Sequence, residues 1–374
     1  MTEADFLVVG AGIAGASAAA ELAAHGRVVV LERESQPGYH STGRSAALYT
    51  ETYGNHIIRA LTVASGRFLR DPPAGFADHP LLTPRGTLLI GRADQRDALD
   101  AAHAELRGLA PGIARVDLAA ALALVPVLDR SYVASGIYEA DATDMDVHGI
   151  HGGFLKTLRA RGGRVVTDAE VTALAWRGGR WHAVTRAGEF SAPVVVNAAG
   201  AWCDELARLA GVLPVGLVPK RRTAFTFDPP AGADVRHWPA VIDIAETFYF
   251  KPEAGKILGS PADETPMPPQ DVQPDELDIA LAVERIERAS SLRVIRLEHR
   301  WAGLRSFVAD KTPVVGMDDR AEGFFWLAGQ GGYGIMTSPA LGRTVASLLT
   351  AGTIPEDLAT LGVTREALVP ARFR

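Results

Sequence analysis

The segment from Phe6 to Glu32 leaves a chain of this kind few options. Phe6-Leu7-Val8-Val9 is a short, β-branched apolar run of the sort a buried parallel strand carries. Gly10-Ala11-Gly12-Ile13-Ala14-Gly15 follows, then an Ala- and Leu-rich helix composition from Ala16 to Ala24, a stop at Gly26, and a second strand Val28-Val29-Val30-Leu31 ending on Glu32. Each glycine has a physical reason. Gly10 allows the turn out of the strand, Gly12 removes a side chain where a pyrophosphate approaches the backbone, and Gly15 lets helix and strand pack closely. The helix opening at Ile13 and Ala14 presents free N–H groups and a partial positive charge to phosphates. Glu32 stands where a carboxylate accepts hydrogen bonds from ribose hydroxyls and repels the extra phosphate of an NADP-type ligand. A glycine triplet alone would be weak; strand, helix, second strand and terminal acid in register make it a dinucleotide unit.

With 374 residues, two domains with a cleft between them are expected. The net charge of -6 supplies no basic face for nucleic acid or an anionic membrane. A single cysteine, Cys203, excludes an internal disulfide and a multi-cysteine metal site. Acidic residues stand where a secretion signal would be basic, and no run reaches the length of a membrane span. The expectation is a soluble, cytoplasmic protein. His148 and His151 lie three apart, but without a third ligand they read as solvated or capping histidines, and no metal is expected.

After the dinucleotide unit, the stretch from Gln36 to Ala47 is rich in glycine and hydroxyl groups, with Arg44 available to a phosphate; alone it would read as a surface loop starting a helix. From Glu51 to Tyr138 the pattern turns helical, notably Asn55 to Leu69 and Asp94 to Leu106, with a strand at Gly86 to Ile90. A helix from Val147 to Arg161 and strands Arg164 to Thr167 and Val171 to Trp176 return to the nucleotide domain. Val194 to Asn197 is another buried strand, ending in Ala198-Ala199-Gly200-Ala201-Trp202, small residues that permit close approach of a ligand. Strands Arg221 to Phe227, Ala240 to Ile244 and Thr247 to Lys251, a Pro- and Asp-rich loop, a helix from Leu277 to Ser290, a glycine-dense loop after Phe324 to Ala328 and a helix from Ser338 to Leu349 complete the chain.

The glycine unit with Glu32, then His40-Ser41-Thr42-Gly43-Arg44-Ser45, Val196 to Gly200, Trp301-Ala302-Gly303-Leu304-Arg305 and Gly331-Gly332-Tyr333-Gly334 together resemble the D-amino acid oxidase superfamily of FAD flavoproteins, and within it most nearly the bacterial FAD-dependent D-arginine dehydrogenases. The resemblance spans essentially the whole chain. It implies an α/β fold: a glutathione-reductase-type, Rossmann-like FAD domain (1–50, 140–212 and 297–374) and a substrate domain on a mixed or antiparallel sheet (51–139 and 213–296). It implies noncovalent FAD contacted by Gly10, Gly12, Ile13, Ala14, Gly15, Glu32, Arg33, Ser41, Thr42, Arg44, Ser45, Ala46, Ala47, Val171, Ala199, Gly200, Trp202, Gly303, Arg305, Gly331, Gly332, Tyr333, Gly334 and Ile335. Cys203, by contrast, reads as a small buried hydrophobe and not as a flavin tether.

The implied reaction is oxidation of a D-amino acid at its Cα–N bond, with hydride transfer to the flavin N5 and hydrolysis of the imine to a 2-oxo acid and ammonia. The substrate carboxylate would be gripped by Arg305 and Arg222, with Tyr53, Tyr249 and the carbonyl of Gly332 beside it. Where the arginine-specific enzymes place a glutamate, a histidine and a glutamine, this chain has Thr87, Leu48 and Met336, while Thr50 remains. A glutamate–guanidinium pair is worth roughly 1.5–3 kcal/mol, about one to two decades in affinity, so its loss implies a preference for neutral, hydrophobic side chains. Oxidation of glycine, sarcosine or a 2-hydroxy acid on the same scaffold, and a flavin protein without turnover, remain alternatives. The sequence separates neither oxygen from a quinone- or dye-type electron acceptor nor one oligomeric state from another.

Overall fold

In the computed structural model, which describes residues 1–110 and 112–374, the first glycine loop sits at the carboxyl edge of a six-stranded sheet. The order is Arg164–Val166, Val28–Leu31, Phe6–Val9, Val194–Asn197, Phe324–Ala328, Val314–Met317; all neighbours are parallel except the last pair. Alternation along these strands feeds two cores. Val8, Val28, Val30, Val196, Phe325 and Leu327 face the helices Ile13–Leu22, Val147–Ala160 and Gly334–Thr350. Leu7, Val29, Leu31, Val195, Phe324 and Trp326 face the other way, against Cys203–Leu209 and the strands Ala173–Arg177, Arg180–Thr185 and Gly188–Ala192. Being covered on both faces is why these strands read as continuous apolar runs. Each fully buried Val, Leu or Phe contributes about 1.5–3 kcal/mol.

A second sheet of eight strands runs in the order Leu297–Phe307, Val218–Phe227, Lys256–Ser260, Tyr249–Glu253, Ala240–Asp243, Thr87–Gly91, Ser135–Glu139, Ile113–Asp117. It is antiparallel apart from the pair Thr87–Gly91 and Ala240–Asp243. One face is apolar: Leu88, Ile90, Phe225, Phe227, Val241, Phe250 and Ile257 pack with Ile279, Ala282 and Ile286 of the helix Glu276–Ala289. The register sets the opposite face. Lys220 opposes Arg305, Arg222 opposes Gly303, and Thr87 opposes Glu139, so charged and hydroxyl side chains gather on the side away from that helix.

Several local expectations change. The last long helix begins at Gly334 instead of Ser338 and carries Pro339 in its interior. The proline removes an N–H, and the Ser338 hydroxyl donates to the Ile335 carbonyl at 2.8 Å in its place, so the helix continues through a residue that usually marks an end. The loop from Gln36 to Arg44 forms turns and leads to the short strand Leu48–Tyr49, without a helix. His151 is neither solvated nor a cap: it is buried, its Nε2 lies 2.8 Å from the Ala11 carbonyl oxygen, and burial lowers its pKa. The cap of that helix is Asp146, which accepts from the Gly149 N–H. Among the described residues no helix is long and apolar enough to cross a membrane, and no cluster of three metal-ligating side chains occurs.

Candidate active site

The first loop closes on itself by steric necessity. A Cβ on Gly15 would fall 1.9 Å from the Gly10 carbonyl oxygen, so only glycine lets the helix start this close to the strand. Thr42 reaches across from the following loop and its Oγ1 accepts from the Ile13 N–H at 3.0 Å. Glu32 is buried and accepts from the Ala11 N–H (2.8 Å) through one oxygen and from the Glu34 N–H (3.0 Å) through the other, leaving each oxygen a free lone pair.

Two hollows meet at Gly12, Ser41, Thr42 and Gly200. The first, of about 350 Å³, runs to Glu32, Arg33, Val171, Ala199 and Trp202. There Arg33 lies over the Trp202 ring at 4.9 Å and pairs with Glu170 at 3.2 Å. The second, of about 150 Å³, passes Ile13, Ala14, Ser45 and Ala46 and ends among Arg222, Tyr249, Gly303, Arg305, Gly331, Gly332, Gly334 and Ile335. Together they form one trough from an acid that suits ribose hydroxyls to a roof that suits a carboxylate. In its wall the buried Gln330 side chain stands, and its Nε2 has no hydrogen-bond partner in the protein. The trough, its glycine floor and that donor fit FAD. Arg44 lines the second hollow while its guanidinium donates to Asp271 at 2.5 Å and to the carbonyls of Ala302 (3.1 Å) and Val272 (3.3 Å), tying the loop to the roof. Ser41 makes a similar tie to the Leu304 carbonyl at 2.6 Å. Ala47 lines a separate hollow, beside Asp144 and Lys251. Cys203 is wholly buried, and burial raises its thiol pKa far above the ordinary value.

At the roof end, Arg305 is surrounded by hydroxyls. Tyr53, Tyr249 and Tyr333 are its polar neighbours, and although burial opposes its charge, they hold its pKa above the ordinary arginine value. Gly332 backs directly onto it; a Cβ there would lie 3.0 Å from the guanidinium carbon. Arg222 is close enough that burial and the positive charge of Arg305 together lower its pKa. Its Nε donates to the Asp263 carbonyl at 2.9 Å. The run Lys220-Arg221-Arg222, which resembles a solvated strand edge, lies in an interior strand: Arg221 is held by Asp263 and Asp278 at 3.1 and 2.6 Å. Tyr53 is exposed and meets Tyr333 edge-on, ring centroids 4.9 Å apart.

The remaining pocket candidates lie elsewhere. Met336 is buried in the helix-side core with Tyr49 and Ile58, and Leu48 pairs with Asp144 in a small sheet. Thr50 and Thr87 both address Glu139, a residue the sequence reading did not single out. Glu139 is 5% exposed and accepts from Thr50 Oγ1 (2.7 Å), Thr52 Oγ1 (2.9 Å) and, weakly, Thr87 Oγ1 (3.5 Å). Burial raises its pKa, and the three hydroxyls offset this only in part. Its placement opposite Thr87 is a matter of strand register. The one available signal was an acid in a strand, Ser135–Glu139, otherwise rich in buried residues.

Comparison with known proteins agrees with this geometry. The family model described as FAD dependent oxidoreductase, DAO, matches residues 5–348. An uncharacterized oxidoreductase of Bacillus subtilis, YurR, is 24% identical over 365 residues, covering 92% of this chain and 94% of that protein. FAD-dependent oxidoreductase domain-containing protein 1 of Xenopus laevis is 29% identical over 178 residues, 42% of this chain, so the match spans about a third of that relative (35%). Among solved structures, L-proline dehydrogenase from P. horikoshii superposes with a TM-score of 0.84 at 21% identity, covering 100% of this chain and 98% of that one. Glycine oxidase from Geobacillus kaustophilus does so at 0.82 and 21%, covering 98% and 99%. The chain belongs to the DAO family of FAD-dependent oxidoreductases.

Proposed function

We propose that this chain oxidises the Cα–N bond of a D-amino acid. The observation that carries the reading is the pair of neighbouring guanidiniums, Arg305 and Arg222, at the roof end of the trough, with tyrosine hydroxyls and no acid beside Arg305 among the described residues. Planar cations in that setting match a carboxylate, the one group every amino acid shares. Three of the solved relatives are named for proline, glycine and iminodiacetate, compounds with an amine one carbon from a carboxylate, while another is named for L-α-glycerophosphate. Bound FAD supplies the two-electron acceptor. The chain's own contribution is positioning: Arg305 and Arg222 fix the carboxylate, and Tyr53, Tyr249 and the Gly332 backbone limit where the amine can lie. A substrate amine that enters neutral needs no strong protein base.

For the side chain, the absence of any acid among the residues that line the roof end of the trough favours a neutral group. Anaerobic addition of single compounds to the flavin-loaded protein tests this. D-leucine, D-methionine and D-phenylalanine should bleach the flavin absorbance faster than D-arginine or D-lysine, and L-leucine should not bleach it. Bleaching by sarcosine or a 2-hydroxy acid with every D-amino acid inert would replace the proposal, and faster bleaching by D-arginine would refute the preference for neutral side chains.

A further inference from the structure

Arg222 is not free in the way Arg305 is. Its Nη2 lies 3.3 Å from Glu264 Oε1, and the other oxygen of the same carboxylate accepts from Lys220 Nζ at 2.9 Å. Glu264 belongs to a segment laid along the strand that carries both cations: the Arg221 N–H donates to Thr265 O at 2.8 Å, and the Met267 N–H to Pro219 O at 3.0 Å. Its carboxylate is therefore delivered to Arg222 by the backbone and not by chance. Burial would raise its pKa, but the hydrogen bond from Lys220 and the charges of Lys220, Arg222 and Lys311 hold it below the ordinary glutamate value.

The orientation of Arg222 does not depend on this acid. Its Nε is bonded to the Asp263 carbonyl, and Asp263 is itself fixed by the Thr223 N–H at 2.6 Å, the Thr223 hydroxyl at 3.0 Å and Arg221. What Glu264 changes is availability. A ligand carboxylate approaching the pair meets one guanidinium with no acid beside it and one already shared with a resident anion.

We infer that Glu264 is a built-in competitor for the substrate carboxylate, and that Lys220 is the cation onto which it retires when substrate takes Arg222. This deepens the carboxylate-grip reading and rests on it. Lys220 suits the role. It directly opposes Arg305 in the sheet, its Nζ lies over the Phe307 ring at 5.4 Å, and its contact with Glu264 is the shorter of the two. The retreat requires only that one oxygen release Arg222 while the other keeps Lys220.

The test uses flavin-loaded protein and benzoate, a carboxylate that cannot be oxidised at an amine, followed by its perturbation of the flavin absorbance. Glu264→Gln and Glu264→Ala should tighten benzoate about two- to fivefold, the scale of a partly exposed ion pair, and lower the KM for a D-amino acid by a similar factor. Lys220→Met should act in the opposite direction, weakening benzoate, because Glu264 then has only Arg222 to bind. Unchanged or weaker benzoate binding in both Glu264 variants would overturn the inference, showing that Glu264 supports the grip instead of contesting it. Failure of the underlying reading looks different: Arg305→Ala would then bind benzoate as tightly as the unaltered protein.

Discussion

The two ends of the eight-stranded sheet's polar face treat their charges in opposite ways. At one end Arg305 and Arg222 stand together with tyrosine hydroxyls around them, and the acid paired with Arg222, Glu264, is divided between it and Lys220. At the other, Glu139 is buried with no cationic partner among the described residues, and three threonine hydroxyls turn toward its oxygens. Charges with donors to spare invite a ligand; a charge whose capacity is used by its own chain holds elements together. Glu139 ties the segment leading to Tyr53 onto the sheet through Thr50 and Thr52, so the satisfied end helps to set the geometry of the unsatisfied one.

Three experiments would break or sharpen this contrast. The largest effect is expected from Arg305→Ala: losing a charged hydrogen-bonding partner at a desolvated site costs about 2–5 kcal/mol, or roughly 30- to several-thousand-fold in kcat/KM, with the flavin absorbance retained. Near-normal turnover would mean the open end is not where the substrate is held. Next comes Thr52→Val, which removes a donor from Glu139 and should cost about 1–3 kcal/mol in denaturant stability, measured on the flavin-loaded protein; no loss would show that Glu139 is not satisfied by its threonines as described.

The smallest effect is a pH dependence. A carboxyl whose pKa is raised by folding contributes stability that is complete below its unfolded value, about 4.3, and is lost as pH rises through its folded value. Glu139→Gln mimics the protonated form, so its stability relative to the unaltered protein should improve as pH is taken from about 4 toward neutrality. Denaturant midpoints at several pH values check this, and a slope of the other sign would place a cation near Glu139.

How much of this was legible in the sequence follows the range of each interaction. The dinucleotide loop was readable because the constraint is local: Gly10 and Gly15 touch each other, and Glu32 is one short helix away. The buried strands were readable because both their faces are covered. Glu139 was not, since its partners are brought together by register between segments 52 to 89 residues apart. Arg44 has a phosphate-loop neighbourhood, but its partner Asp271 is 227 residues away. The start of the last helix at Gly334 is not legible, since a helix that runs through Pro339 depends on the Ser338 hydroxyl supplying the missing donor. His151 likewise shows its purpose only once Ala11 is beside it.

The close approach of Gly332 to Arg305 has a consequence for anyone reshaping this enzyme. With 3.0 Å between a would-be Cβ and the guanidinium carbon, any side chain at position 332 asks the arginine to shift by a few tenths of an ångström, so Gly332→Ala should loosen the grip and larger residues should displace it further.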